Sequence, residues 1–424
     1  MNEQTEPKPA RVSATTPQAG EIYRRWWFVE RSVWTERMWT ALENGVKGSI
    51  GFRWIDKVYA SRNLQAAFGA VWRNEGSPGV DRQTVEQFEA QHTEELGKLS
   101  RPLQERTDRP QPVRRVWIHK LGRHEKRPLG IPVVRDRVVQ AALKQVIEPI
   151  FEREFAGTSY GFRPGRGCPQ ALERVEGLLK AGYTWVGDAD LKSSFDTIPH
   201  ERLRARVQER IADGRGLALL EACLRQGVME EMKGWQPTER GTPQGAVLSP
   251  LLANVYLHPL DHQRAQASWE MTRSADDFII QGRSPAEAQS ALDTVQPWVE
   301  AEGLQRHPNK TRIGDATPRG GLDFLGYHYE RGYPWPRQKS QDKLKETIRE
   351  KTPRTRGVSL DTIIEGLNRT LRGWHAYFGR SLSHELAKLD EMVRRRLRSI
   401  LMKRHGQRGI DWPQANRLPL HENR

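Results

Sequence analysis

The sequence predicts an α+β centre flanked by helices, with a separate helical domain toward the C-terminal end. Three observations carry that expectation. Short apolar runs of strand length alternate with helical periods through the middle of the chain. Two acidic pairs, Asp188 with Asp190 and Asp276 with Asp277, stand at strand edges or hairpin tips. From about Ser340 onward everything reads as basic helix.

Taken in order, residues 1–20 are polar with Pro, Ser and Thr, and are expected to be disordered. Glu21 to Trp72 is helical in pattern, with Trp34, Met38, Trp39 and Leu42 recurring at three- and four-residue spacing. Gly76-Ser77-Pro78-Gly79 marks a turn. Thr84 to Leu99 reads as one amphipathic helix ending before the breaker Pro102. Val113–His119 alternates as a strand, Gly122 marks a hairpin tip, and Arg127–Pro132 is extended, as its two prolines require. Asp136 to Phe155 is a long helix with an apolar stripe.

Tyr183–Leu191 reads as a strand, and Thr197 to about Ala212 as a helix beginning near Pro199. Gly241–Gly245 is a tight polar loop feeding the apolar helix Ala246–Leu257. Met271–Gln281 is a hairpin with acids at its tip. Ser284 is suited to cap a helix over Pro285–Glu302, with proline at the first helical position. Leu322–Tyr329 is an aromatic strand.

Composition bounds the function. The 424 residues allow two to four structural units of about 100–200 residues each. No apolar stretch approaches the ~20 residues of a membrane helix, so no membrane partner is expected. The N-terminus has no basic start followed by an apolar core, so a cytoplasmic location is expected. Two cysteines, Cys168 and Cys223, exclude a disulfide scaffold.

The net charge is +15, from 68 Lys and Arg against 53 Asp and Glu. It is concentrated in three places. Residues 101–127 and 331–356 each hold nine basic against three acidic residues. The third cluster comprises Arg394, Arg395, Arg396, Arg398, Lys403 and Arg404. Clustered cations of this kind suit a polyanion, because each phosphate contact releases condensed counterions.

Asp188 and Asp190 fall on one strand face, because side chains alternate. A carboxylate cluster on apolar strands is costly unless a cation compensates it. Hard oxygen ligands suit Mg²⁺, and two such ions serve nucleotidyl transfer. Spacing alone leaves open whether the two acidic sites converge.

Three segments then stand in a recognisable order: Gly187-Asp-Ala-Asp-Leu-Lys-Ser-Ser-Phe-Asp-Thr-Ile-Pro-His200, Gly241-Thr-Pro-Gln-Gly245 with the helix to His258, and Arg273-Ser-Ala-Asp-Asp-Phe278. Together they resemble the palm motifs of bacterial group II intron reverse transcriptases, also called maturases. Arg127–Pro132 with Arg135-Asp-Arg137, Tyr160-Gly-Phe-Arg-Pro164 and Phe324-Leu-Gly326 are similar to further motifs of that family. Leu367–Trp374 with Tyr377-Phe378 resembles the family's helical domain X. The resemblance runs from about residue 30 to about 415.

The resemblance implies a right-hand polymerase of fingers, palm and thumb. It divides the chain into a 1–20 tail, an N-terminal extension and fingers over 21–180, a palm over 181–335 and a thumb over 336–424. It implies that Asp190, Asp276 and Asp277 are catalytic and hold Mg²⁺ (Mn²⁺ as an alternative), with Asp276 the firmer ligand and Asp188 secondary. Phe195 matches an aromatic gate against a ribose 2′-hydroxyl, and Gln244 lies where the family's loop meets the incoming nucleotide. Lys120, Arg127 and Lys310 match nucleotide-binding cations. The implied partners are group II intron RNA, an RNA template with DNA primer, target DNA and dNTPs.

One departure matters. The family's Tyr-Ala-Asp-Asp is here Ser274-Ala275-Asp276-Asp277, so altered fidelity, processivity or template preference is expected. Little follows the thumb beyond Arg408–Pro413, with no paired Cys or His-rich nuclease module. Alternatives to an intron-encoded enzyme are a free-standing relative in DNA repair or phage defence, or a splicing cofactor with weakened polymerase.

Overall fold

The computed structural model describes residues 24–44, 54–119, 126–191, 194–263, 269–305, 312–317, 321–330, 333–355, 357–381 and 383–405. The 1–20 tail, the Gly122 hairpin tip, Lys120, Lys310 and the segment Arg408–Pro413 lie outside the described residues.

Helices α1 (Glu36–Asn44), α2 (Ile55–Val58), α3 (Ser61–Asn74), α4 (Val85–Ala90) and α5 (His92–Glu105) come first. The single helix expected over Thr84–Leu99 is therefore two. Thr84 does start it, through a capping box with Gln87. The break falls at Gln91, and the second helix runs on through Pro102 to Glu105. It ends at Arg106 in the left-handed conformation, where the carbonyl of Pro102 collects the Arg106 and Thr107 amides. Pro102 lies one turn from that end and deprives the carbonyl of Lys98, an exposed residue, of its helical donor.

The hairpin β1 (Val113–His119) and β2 (Lys126–Ile131) pairs in antiparallel register and leads into α6 (Val134–Glu152). The α6 stripe Val138, Val139, Ala142, Leu143, Val146 and Ile147 is buried in the main core. Next come α7 (Cys168–Lys180), β3 (Trp185–Asp190), α8 (Ser194–Thr197), α9 (His200–Gln208) and α10 (Gly214–Arg225). The helix expected to begin near Pro199 does so as α9, with Thr197 belonging to the short α8 before it, and it ends at Gln208 rather than near Ala212. Pro199 has extended backbone and stands at the N-cap of α9, which separates α8 from it.

Strands β4 (Val228–Glu230) and β5 (Gly234–Gln236) join the β1–β2 hairpin in one sheet of order β2-β1-β4-β5. Then follow α11 (Ser249–Gln263), β6 (Glu270–Ser274), β7 (Asp277–Gly282), α12 (Pro285–Ala301) and β8 (Arg312–Asp315). The central sheet has order β6-β7-β3-β8 and is antiparallel throughout. One face packs on the main core through Phe278 and Ile280, with Leu292 of α12 against Gly187; the other packs on α7 through Val186 and Ile279.

The aromatic strand expected at Leu322–Tyr329 is a pair, β9 (Leu322–Phe324) and β10 (Tyr327–Glu330), completed by β11 (Tyr333–Pro336). Leu325 and Gly326 both take positive φ and turn the chain between them. Helices α13 (Gln338–Lys351), α14 (Leu360–Phe378) and α15 (Ser383–His405) share their own apolar core, Leu344, Ile348, Ile363, Leu367, Leu389, Val393, Leu397 and Ile400. Tyr327 and Tyr377 tie this bundle to the β9–β10 turn: the Tyr327 hydroxyl donates to the Tyr377 carbonyl, and the Tyr377 hydroxyl to the Leu325 carbonyl. Among the described residues no helix is long and apolar enough to cross a membrane.

Asp136, at the first turn of α6, is buried and accepts a 2.7 Å hydrogen bond from the Gln111 amide. Burial pushes its carboxyl up to about 7, with the Asp108 carboxylate adding to the rise. The folded chain holds this proton far above 3.8, the ordinary value, so stability is full below that pH and is lost as pH rises through about 7. Asp136→Asn keeps an acceptor for Gln111 without the charge. It is expected to stabilise the chain on the order of 2–4 kcal/mol at about pH 8 and to flatten the pH dependence of its denaturation midpoint.

Candidate active site

The acidic hairpin and the first acidic strand do meet. In the β3–β7 register Asp190 stands directly opposite Asp277, and Asp188 opposite Ile279. Directly opposed residues share a sheet face, so Asp188, Asp190 and Asp277 are on one face, and Ser274, opposite Asp277 on β6, joins them. Asp276 is in the two-residue turn itself, half-buried, and Asp277 is exposed. The side chain of Asp190 lies outside the described residues; among the described ones no group of three or more His, Cys, Asp or Glu is gathered for a metal ion.

The tip is held from behind. Alternation puts Arg273 on the opposite face from Ser274, facing α11, where it is fully buried. All five guanidinium donors have partners. Nε donates to Asp261 Oδ1 at 2.7 Å, and Nη2 to Asp261 Oδ2 and to Ser159 Oγ at 2.7 Å. Nη1 donates to Asn254 Oδ1 and to the Ala275 carbonyl, both at 2.9 Å. Asn254 and Asp261 are seven residues apart on α11 and so share one helix face. The Ala275 carbonyl belongs to the turn, and Ala275 takes a φ of +61°, where glycine is the usual occupant. Arg273 thus clamps a strained peptide between the two acids and the core.

Residues 158–161 line the tip's other side. Tyr160 donates its amide to the Arg273 carbonyl, and Arg273 its amide to the Thr158 carbonyl, both at 2.9 Å. Asn254 Nδ2 donates to the Gly161 carbonyl at 2.8 Å. A Cβ on Gly161 would stand 2.8 Å from the Ser274 carbonyl carbon and closer still to the Ala275 nitrogen. Both are backbone atoms that cannot swing away. Gly161→Ala is expected to cost about 1–3 kcal/mol of stability and to displace the tip, read as a lowered melting midpoint together with weaker extension activity.

The loop before α11 is pinned to the segment after β3. Gly241 donates to the Ile198 carbonyl at 2.7 Å and Thr242 to the Phe195 carbonyl at 2.6 Å, while His200 Nε2 is 2.7 Å from the Gly241 carbonyl. Gly241 has φ +82°, and a Cβ there would meet the Asp196 backbone at 2.6 Å. Gln244 Nε2 donates to Asp196 Oδ2 at 3.0 Å, and the Gln244 carbonyl accepts from the Gly130 amide of β2 at 2.6 Å. The loop therefore bridges the fingers-like hairpin and the acidic strand.

Burial of its carboxyl against this loop raises the pKa of Asp196; Arg115, the Gln244 bond and Arg127 oppose the rise, and the Asp276 carboxylate adds to it. Asp196 thus feels Arg115, Arg127, Gln244 and Asp276 together. A cavity of about 440 Å³ is walled by Arg115, Trp117, Asp196 and Gln244.

Phe195, at the start of α8, is half-buried against the main core. The basic cluster of α15 divides. Arg396 turns inward and donates to the Thr352 carbonyl at 2.9 Å, capping α13, and burial lowers its pKa. Arg404 donates to the Val358 carbonyl at 2.6 Å, and Arg394 pairs with Asp390 at 2.8 Å. Arg395 and Lys403 are exposed, and Arg398 is half-buried.

Sequence reasoning did not assign roles to Arg273, Phe162, Asp196, Asn254 or Asp261. All but Asp261 stood inside quoted motifs, but burial and partner choice across many tens of residues are not visible in spacing.

Residues 118–329, half of the chain, match the family model described as "Reverse transcriptase (RNA-dependent DNA polymerase)". Residues 341–417 match the "Group II intron, maturase-specific domain". The chain is similar to "Group II intron-encoded protein LtrA" of Lactococcus lactis subsp. cremoris, 35% identical over 215 residues, covering 50% of this chain and 35% of that one. It is also similar to "Protein YkfC" of Escherichia coli K12, 40% identical over 195 residues, covering 44% of this chain and 51% of that one. The matched region thus spans about half of these relatives or less. A solved telomerase from Candida albicans aligns with a TM-score of 0.42 at 11% identity, covering 76% of this chain and 64% of that one. The chain belongs to the reverse transcriptase family, in its group II intron branch with a maturase-specific domain.

Proposed function

We propose that the chain is an RNA-directed DNA polymerase of group II intron type that also binds its intron RNA to assist splicing and retrohoming. The observation that carries this reading is the Asp190–Asp277 register, with Asp276 in the adjoining turn and near enough to Asp196 for their charges to interact, Asp196 in turn being bonded to Gln244. Residues 21–180 act as N-terminal extension and fingers, 181–335 as palm and 336–424 as thumb, although β4 and β5 of the palm span pair with the fingers hairpin.

The donor set suits a hard divalent cation, since Asp190 and Asp277 stand opposite each other on adjacent strands β3 and β7 and Asp276 is in the β6–β7 turn beside them, all three residues being carboxylates. When bound, Mg²⁺ supplies activation of the attacking 3′-hydroxyl and charge stabilisation of the leaving pyrophosphate. The protein's own part is placement. Arg127, with Lys120 and Lys310, takes the triphosphate of a dNTP. Gln244, oriented by Asp196, meets the incoming nucleotide, and Phe195 crowds its 2′ position. The exposed cations Arg395 and Lys403, with their neighbours on α15, take RNA phosphates.

Target DNA, RNA template and primer follow from the same reading, as does a cytoplasmic location. The test is primer extension on an RNA template with Mg²⁺ and deoxynucleoside triphosphates. Wild type extends and Asp276→Ala does not; a wild-type protein that binds the hybrid without extending it would leave the splicing-cofactor reading instead.

A further inference from the structure

Phe162 combines two properties that a bulky aromatic side chain rarely shows together. Its residue is 56% exposed, and its backbone φ is +57°, in the left-handed region. The exposure does not come from a loose loop. On one side Gly161 is wedged against the Ser274–Ala275 peptide. On the other, Arg163 is buried, with its guanidinium bonded to Glu152 at 2.7 Å and to the carbonyls of Ala156 at 2.6 Å and Ser159 at 2.8 Å. The fold holds the ring out deliberately, against a backbone preference.

The ring is held in a specific place. It meets Phe195 edge-on, with centroids 6.2 Å apart and planes at 87°. Its own backbone continues from the residue that touches the acidic tip. Phe162 thus follows directly on the residue packed against the tip, touches Phe195, and keeps more than half of its surface exposed. Ser274, the tip residue on the acids' face, is almost buried and has no ring to offer.

We infer that Phe162 is a specificity-determining contact: its exposed surface stacks on the terminal nucleotide of the strand being extended, while its edge steadies Phe195. The ligand class is the base and sugar at the 3′ end of a nucleic-acid strand in a hybrid duplex. An aromatic face serves every base alike, which suits a polymerase terminus. The inference rests on the polymerase reading above and adds to it a residue that acts on the primer end.

The backbone strain makes the test clean. Phe162→Gly removes the ring and also relieves the positive φ, so a purely structural role and a binding role move stability and function differently. The melting midpoint of Phe162→Gly is expected to equal or exceed wild type. Its half-saturating concentration of primer–template in extension assays is expected to rise about tenfold. A primer whose 3′-terminal nucleotide is abasic should weaken wild-type binding by a similar factor and leave Phe162→Gly almost unaffected. Phe162→Trp should keep both the binding and the sensitivity to the missing base.

The inference is overturned if stability falls along with activity, if the primer requirement is unchanged, or if the abasic end costs both proteins equally. Binding of the hybrid, measured by fluorescence anisotropy without dNTPs, reads the contact independently of turnover. Should wild type bind with a sensitive terminus yet never extend, the polymerase reading fails and the contact stands.

Discussion

Arg273→Met is expected to destabilise the chain by about 3–5 kcal/mol and to abolish primer extension. Both Arg273 and Asp261 are fully buried, and the substitution leaves the Asp261 carboxylate without its compensating charge. It also strips donors from Asn254, Ser159 and the Ala275 carbonyl. The two consequences are separable. Adding Asp261→Leu removes the orphaned charge, and a buried ion pair replaced by apolar residues is often tolerated. The double variant should regain much of the stability in a denaturant titration. It should not regain extension, because no donor then reaches the Ala275 carbonyl and the strained turn carrying Asp276 is released. Recovery of extension together with stability would show that the turn holds its shape without Arg273.

Asp276→Ala should lower single-turnover extension by on the order of a thousandfold or more, about 4 kcal/mol of transition-state stabilisation. The loss should be larger than that from Asp277→Ala if the resemblance is right that Asp276 is the firmer of the two metal ligands. Neither change should lower the melting midpoint appreciably. Asp276 is half-buried in a turn, and its carboxylate already adds unfavourably to the neighbouring Asp196. Equal extension by Asp276→Ala and wild type at saturating Mg²⁺ would remove Asp276 from the chemistry.

Much of the site could be read before any coordinates. The spacing of Asp188 and Asp190 within one strand and the apolar arms around Asp276-Asp277 were enough to place both acidic sites on strand ends. Local chemistry also gave reliable ends for several elements: Ser284 caps α12 by accepting from the Glu287 amide, and Thr84 starts α4. Proline was the weaker guide. Pro102 sits inside α5, whereas Pro199 does divide α8 from α9. The difference is whether the neighbouring carbonyl can do without a donor, and that depends on solvent and on partners far along the chain. The basic cluster at 394–404 was equally mixed. Its charge was legible, but helical phase turned Arg396 toward Thr352 and left Arg395 facing out.

The sequence by itself determined most element types, the order of the motifs, the clustering of basic charge and the place of the acids at strand ends. Those follow from periodicity, residue chemistry and resemblance, which are local or linear properties. Only the tertiary structure decided that Asp190 faces Asp277, that Asp196 orients Gln244, and that Arg273 and Gly161 brace the turn between them. Each of those joins residues separated by tens of positions or more. Strand register and side-chain burial set such pairs, and neither is encoded in the spacing of any one segment.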